Sequence, residues 1–147
     1  MERSRPASHF APHGRTSARW DDGLLLVDVT GPFNLEGMAL LTRTMLEGYR
    51  GQPAGTPVVN VCEMRGTLVY TPDAWAALAD AIRATGASGL RVLATVWIVA
   101  GDVEGAGLLL PRARALFAGA GRPFEVFERR VEAQAWARER LAADRAS

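Results

Sequence analysis

The side chains able to do chemistry are few in this chain, and they are poorly spaced for catalysis. All 17 basic residues are arginine, and lysine does not occur. Both histidines, His9 and His13, precede the first predicted strand. The single cysteine, Cys62, sits inside an apolar run. A body without Lys or His lacks the parts for a Schiff base, a Walker-type phosphate clamp or a Ser-His or Cys-His nucleophile pair, and it offers no zinc ligand set. A non-catalytic binding or regulatory role is therefore expected, with no cofactor and no metal site.

The remaining candidates each carry two readings. Glu63 with Asp28 or Asp73 could form a carboxylate pair for acid–base work, or all three could be ordinary surface acids. Cys62 and Asn60 alternate with Val59 and Val61, so both point to one face of a strand. Cys62 is then a small buried group, unless Arg65 lies close enough to activate it. Residues 101–107, Gly-Asp-Val-Glu-Gly-Ala-Gly, follow a strand but miss the dinucleotide-binding glycine spacing, and two carboxylates there would repel phosphate. Thr71 is a helix cap or, less simply, a phospho-acceptor, which Asp73 would oppose. Met38, Met45, Trp75 and Trp97, with Trp136 and Phe117, either fill the core or line a pocket for an apolar ligand.

The elements that must position these groups can be read in order. Residues 24–30 form a strand after the tight-turn signal Asp22-Gly23, which pairs them with a short strand over about residues 16–20. Asn34 caps a helix to about Tyr49, whose inward face is Leu35, Met38, Leu41, Thr42, Met45 and Tyr49. Residues 58–64 are nearly all apolar, as in a central parallel strand. Thr71-Pro72-Asp73 is the clearest helix start, and Gly86 is the stop. A strand follows over residues 90–100. Pro111 breaks the pattern after it, which predicts a helix over residues 111–117 with a separate turn before. Residues 124–128 alternate like an edge strand. Residues 130 to about 144 form a last helix with Val131, Ala135, Trp136 and Leu141 inward.

The fold class predicted is α/β. A mixed, mostly parallel five-stranded sheet carries an N-terminal antiparallel hairpin and about four helices, in the order β-β-α-β-α-β-α-β-α. Residues 1–15 read as a disordered leader and residues 16–147 as a single domain, which suits a chain of 147 residues. Net charge is +1, which gives no pull toward nucleic acid. One cysteine fits a reducing cytoplasm, and no apolar run is long enough to span a bilayer. Residues 110–147 hold eight arginines against five acids, while residues 18–109 hold six against ten. The basic third is either a face for an acidic partner or a set of solvated helix surfaces.

Four stretches carry a resemblance: residues 24–33, 58–75, 92–102 and 131–141, the last with Glu132-Ala133-Gln134-Ala135-Trp136. Together with the element order they resemble the STAS domain, the anti-sigma-factor-antagonist fold of bacteria. The closer similarity is to its stage II sporulation protein AA-like group, a fold related to the CRAL-TRIO lipid carriers. It covers about residues 18–142. The resemblance implies a regulatory domain that acts through protein contacts at the loop and helix start after the third strand. Carried onto this chain, the contact residues would be Arg65, Thr67, Tyr70, Thr71 and Trp75. Regulatory members are phosphorylated on a serine in an Asp-Ser loop there; here both residues are missing and Thr71 is the nearest hydroxyl. Another protein is the expected partner, and a small apolar, lipid-like ligand is the alternative. An exposed first strand would also allow a homodimer.

Overall fold

The structure, a computed structural model, describes residues 11–147. His9 and most of the predicted leader lie outside the described residues. Of the leader's described part, the Ala11 carbonyl accepts from Asn34 Nδ2 at 3.0 Å, and the His13 N–H donates to Asn34 Oδ1 at 2.8 Å.

β1 (Arg15–Asp21) and β2 (Leu24–Thr30) form the antiparallel hairpin, with Asp21 opposite Leu24. Asp22 and Gly23 both take positive φ, 47° and 93°, as a two-residue turn matched to strand twist requires. β3 (Pro57–Arg65), β4 (Arg91–Val99) and β5 (Phe124–Phe127) continue the sheet in parallel, in the order β1-β2-β3-β4-β5. The crossovers are α1 (Leu35–Gly48), α2 (Pro72–Gly86) and α3 (Ala106–Gly119), and α4 (Arg130–Ala146) ends the chain. Successive crossovers of one hand in one direction put α1, α2 and α3 on the same face. α4 covers the other face. The protein is therefore a three-layer α/β fold with a mixed sheet in the middle.

Strand alternation divides the core between the layers. Cys62 and Met64 of β3 join the α1–α3 side, where Met38, Met45, Trp75, Trp97 and Phe117 are buried. Val59 and Val61 face α4. The inward stripe of α4 is Ala133, Ala137 and Leu141. Val131 and Ala135, expected inward, are exposed, and Trp136 is half-buried. Small residues won these positions because a methyl side chain lets the helix settle close on Leu24, Val59 and Ala94. Leu35 is likewise partly exposed, although the rest of the expected α1 face is inward.

α3 also differs from expectation. It is one helix from Ala106, with Pro111 inside it. The proline costs the helix its bond to the Gly107 carbonyl. Burial of Ala113 and Phe117 against the sheet side of the core holds the element together nonetheless.

Part of the charge asymmetry of the sequence is met by ion pairs within the fold. Arg130 pairs with Glu63, Arg138 with Asp21 and Arg91 with Asp144, at 2.6, 3.1 and 2.8 Å. Arginines of α4 are thus matched to acids of the hairpin and β3. No helix among the described residues is long and apolar enough to cross a membrane.

Candidate functional site

The carboxyl ends of β2, β3 and β4 and the N-termini of α1, α2 and α3 converge at one end of the sheet, the usual ligand end of an open α/β fold. The β3–α2 loop crosses this end and is tied on both sides. The Gly31 N–H donates to the Arg65 carbonyl at 3.1 Å, and the Thr71 N–H donates to the Phe33 carbonyl at 3.0 Å. Across the loop, the Leu68 N–H donates to the Glu104 carbonyl at 2.8 Å, and the Glu104 N–H donates to the Gly66 carbonyl at 3.1 Å. Gly31 has no space for a side chain, since a Cβ there would lie 2.3 Å from the Thr67 carbonyl oxygen.

An aromatic stack supports the loop from beneath. Phe33, Tyr70 and Trp75 stack in sequence with centroids 5.1 and 5.4 Å apart. The Trp75 indole N–H donates to the Leu68 carbonyl at 3.1 Å. Tyr70 and Trp75 were candidate contact residues, yet they are 8 % and 2 % exposed. They shape the loop from within because a ring at each position has a stacking partner and an apolar bed. Burial pushes the Tyr70 hydroxyl well above its ordinary range.

Of the other candidates, Arg65 and Thr71 are exposed and Thr67 is half-buried. The Thr71 hydroxyl donates to the Asp73 carboxylate at 2.6 Å and accepts from the Ala74 N–H at 3.4 Å, which makes it a cap already engaged. The sequence reading missed two apolar groups at this end. Val69 is 53 % and Leu108 is 82 % exposed. Val69 lies against the start of α3: a Cβ on Gly105 would be 2.9 Å from its Cγ2. Exposure of a Val in a loop and a Leu in a first helical turn has no periodic signature.

The carboxylates divide. Asp28 and Glu63 are register neighbours on β2 and β3, and Arg65 bridges them at 3.4 and 3.1 Å. Arg130 places two N–H groups on one Glu63 oxygen, at 2.9 and 2.6 Å. A cleft of about 290 Å³ opens beside Glu63, Arg65 and Arg130. Asp73 belongs to Thr71 instead. In the glycine-containing loop, Val103 is buried while Asp102 and Glu104 are exposed. Among the described residues, no group of three or more His, Cys, Asp or Glu is placed to hold a metal ion.

Cys62 is buried, and burial pushes its thiol up to about 12. It is protonated at neutral pH, and Arg65 is occupied by Asp28 and Glu63. Cys62 lines a small cavity of about 40 Å³ between the sheet and α1–α3. Of the four residues considered for an apolar pocket, Met45 and Trp97 line this cavity, while Met38 and Trp75 are buried elsewhere in the core. Asn60 and Arg122 supply its polar end.

Compared with known proteins, the chain matches no family model, no curated protein and no solved structure.

Proposed function

We propose that the protein is a non-catalytic STAS-like recognition domain that binds another protein through the carboxyl end of its sheet. One observation carries this reading. The four large apolar side chains exposed among the described residues, Leu35, Val69, Leu108 and Val131, all lie at that end, the first three on the α1–α3 side of the sheet and Val131 in the first turn of α4. Exposed apolar groups clustered at one end of a fold mark a contact surface, whereas scattered ones do not. The loops beneath are cross-bonded, so little ordering entropy is lost on docking. Asp73, Asp102 and Glu104 are exposed around the apolar groups, which favours a partner with apolar anchors flanked by basic residues. The engaged Thr71 hydroxyl favours recognition without a phosphorylation switch. A cytosolic location fits the single thiol.

The test is capture of a partner at defined stoichiometry by the wild-type protein, repeated with Val69→Asp plus Leu108→Asp. The double variant should lose the partner at unchanged thermal stability. Ala118→Asp, a matched change at the far end of α3, should keep it. Equal capture by all three proteins would refute the assignment of this surface.

The cavity at Asn60 favours a second role, sensing of a small ligand. Its about 40 Å³ suits a few heavy atoms, well below the ~150 Å³ that accommodates benzene in an engineered apolar cavity. A whole acyl chain would require the core to open.

A further inference from the structure

The cavity between the sheet and α1–α3 has an apolar body and a polar end that holds the Asn60 amide, the Arg122 guanidinium and the Thr85 and Thr95 hydroxyls. Met45, Ile82, Trp97 and Phe117 form apolar wall. At the polar end, Asn60 is 1 % exposed, and its Nδ2 is the buried side-chain polar atom without a hydrogen-bond partner among the described residues. Its Oδ1 is already taken by the Tyr49 hydroxyl at 2.7 Å. The amide therefore has two unused N–H donors, while its carbonyl oxygen already accepts from Tyr49. A buried unpaired amide of this kind calls for an occupant that accepts.

Arg122 stands at the same end. Asn60 and Thr95 are register partners on β3 and β4, and Arg122 Nη1 donates to Thr95 Oγ1 at 3.4 Å. Its Nη2 donates to the Ile82 carbonyl at 3.1 Å. The guanidinium thus bridges the C-terminal half of α2 and the middle of β4 using two neutral acceptors. Among the described residues it has no carboxylate partner, although partial burial makes its charge costly. Arg122 is also the one lining residue that is not buried, so the way into the cavity passes its side chain.

Two independent features therefore ask for the same chemistry, namely acceptor atoms and negative charge. We propose that this cavity is a binding site for a small carboxylate of about acetate size, with its oxygens on Asn60 Nδ2 and Arg122 and its methyl group against Trp97 and Phe117. The carboxylate supplies the acceptors the amide lacks and the counter-charge the guanidinium lacks. A neutral amide or alcohol would satisfy Asn60 but leave Arg122 uncompensated. An ammonium group would leave the Asn60 N–H groups unpaired and face the like charge of Arg122. About 40 Å³ holds roughly three waters on the scale where one needs at least 10–15 Å³, which sets the upper size of the tail unless Arg122 swings out. The site lies in the core layer, away from Val69 and Leu108, so it is separate from the proposed docking surface.

The experiment is a thermal-unfolding and amide NMR titration of the full chain with sodium acetate, propionate and butyrate at fixed ionic strength. Propionamide, propanol and propylamine serve as matched controls. A ligand that binds only the folded state raises the melting temperature saturably. Acetate and, more weakly, its longer homologues should do so and should shift the amide resonances of Asn60, Thr95 and Arg122. The neutral and cationic controls should not. Arg122→Gln, which keeps donors and removes charge, should weaken carboxylate binding about tenfold. If that variant does not fold, the wild-type ligand series decides alone. Equal responses to propionate and propionamide would overturn the proposal. So would carboxylate shifts confined to other residues, or no saturable response, which would mean the cavity holds water only.

Discussion

The Trp75 indole N–H reaches the Leu68 carbonyl at 3.1 Å, which joins the first turn of α2 to the loop that precedes it. The contact is buried, and it sits directly under Val69 in the chain. It explains how an exposed valine can be held in one place: the residue before it is anchored to the core, and the residue after it is stacked between Phe33 and Trp75.

Trp75→Phe tests that anchor. The ring stays apolar, but the Leu68 carbonyl loses its side-chain donor in a buried setting. The Leu68 carbonyl keeps the Tyr70 N–H at 2.9 Å, so the expected cost of the lost bond is about 0.5–1.5 kcal/mol, read as a lower denaturant midpoint with an unchanged slope. Amide hydrogen exchange should quicken at Leu68 and Val69 more than in β3. Uniform quickening would show that the tryptophan only fills space.

The Arg91–Asp144 pair gives a pH prediction. Two guanidinium N–H groups bond the Asp144 carboxylate at 3.2 and 2.8 Å. These bonds to Arg91 are the main reason its carboxyl is held below the usual range in the folded state. A folded-state value below the unfolded one means the pair stabilises above the unfolded value of about 3.9 and loses that effect as pH falls through the folded value. Asp144→Asn should therefore lower the melting temperature at pH 7 and flatten its decline below about pH 4. Parallel melting-temperature profiles for the two proteins would show that the pair adds nothing.

Pro111→Ala should stabilise. The proline is exposed inside α3 and removes one helical hydrogen bond. Alanine restores the N–H to the Gly107 carbonyl, with a gain of up to about 3 kcal/mol in chemical unfolding. A loss of stability would indicate that the ring makes contacts worth more than the bond.

How much of this was legible in the sequence depended on how local each signal was. Thr71-Pro72-Asp73 announced α2, and Asp22-Gly23 announced the hairpin, because caps and tight turns are written in adjacent residues. The apolar run of β3 marked a strand covered on both faces. α3 was misjudged because Pro111 obeys a local rule that burial of Ala113 and Phe117 overrides. α4 was turned by a fraction of a revolution because bulk was taken as the sign of burial, whereas Ala133 and Ala137 permit the closer approach. At the carboxyl end of the sheet, the location of Arg65, Thr67 and Thr71 could be read from their place after β3, while their role could not. Tyr70 and Trp75 were found in the right loop but assigned to the wrong side of it, since an aromatic residue in a loop looks the same whether it stacks inward or faces a partner. Arg122 was out of reach: it meets Asn60 only through Thr95 and the fold of three strands.

The most direct test of the docking surface is site-specific photocrosslinking in the native cell. A photoreactive phenylalanine analogue at Val69 should give one discrete crosslinked protein, and Leu108→Asp in the same chain should abolish it. The same analogue at the exposed Ala118, at the far end of α3, should give none. Crosslinks that are equally diffuse at both positions, or that are unaffected by Leu108→Asp, would contradict the view that this end of the sheet is where the protein is recognised.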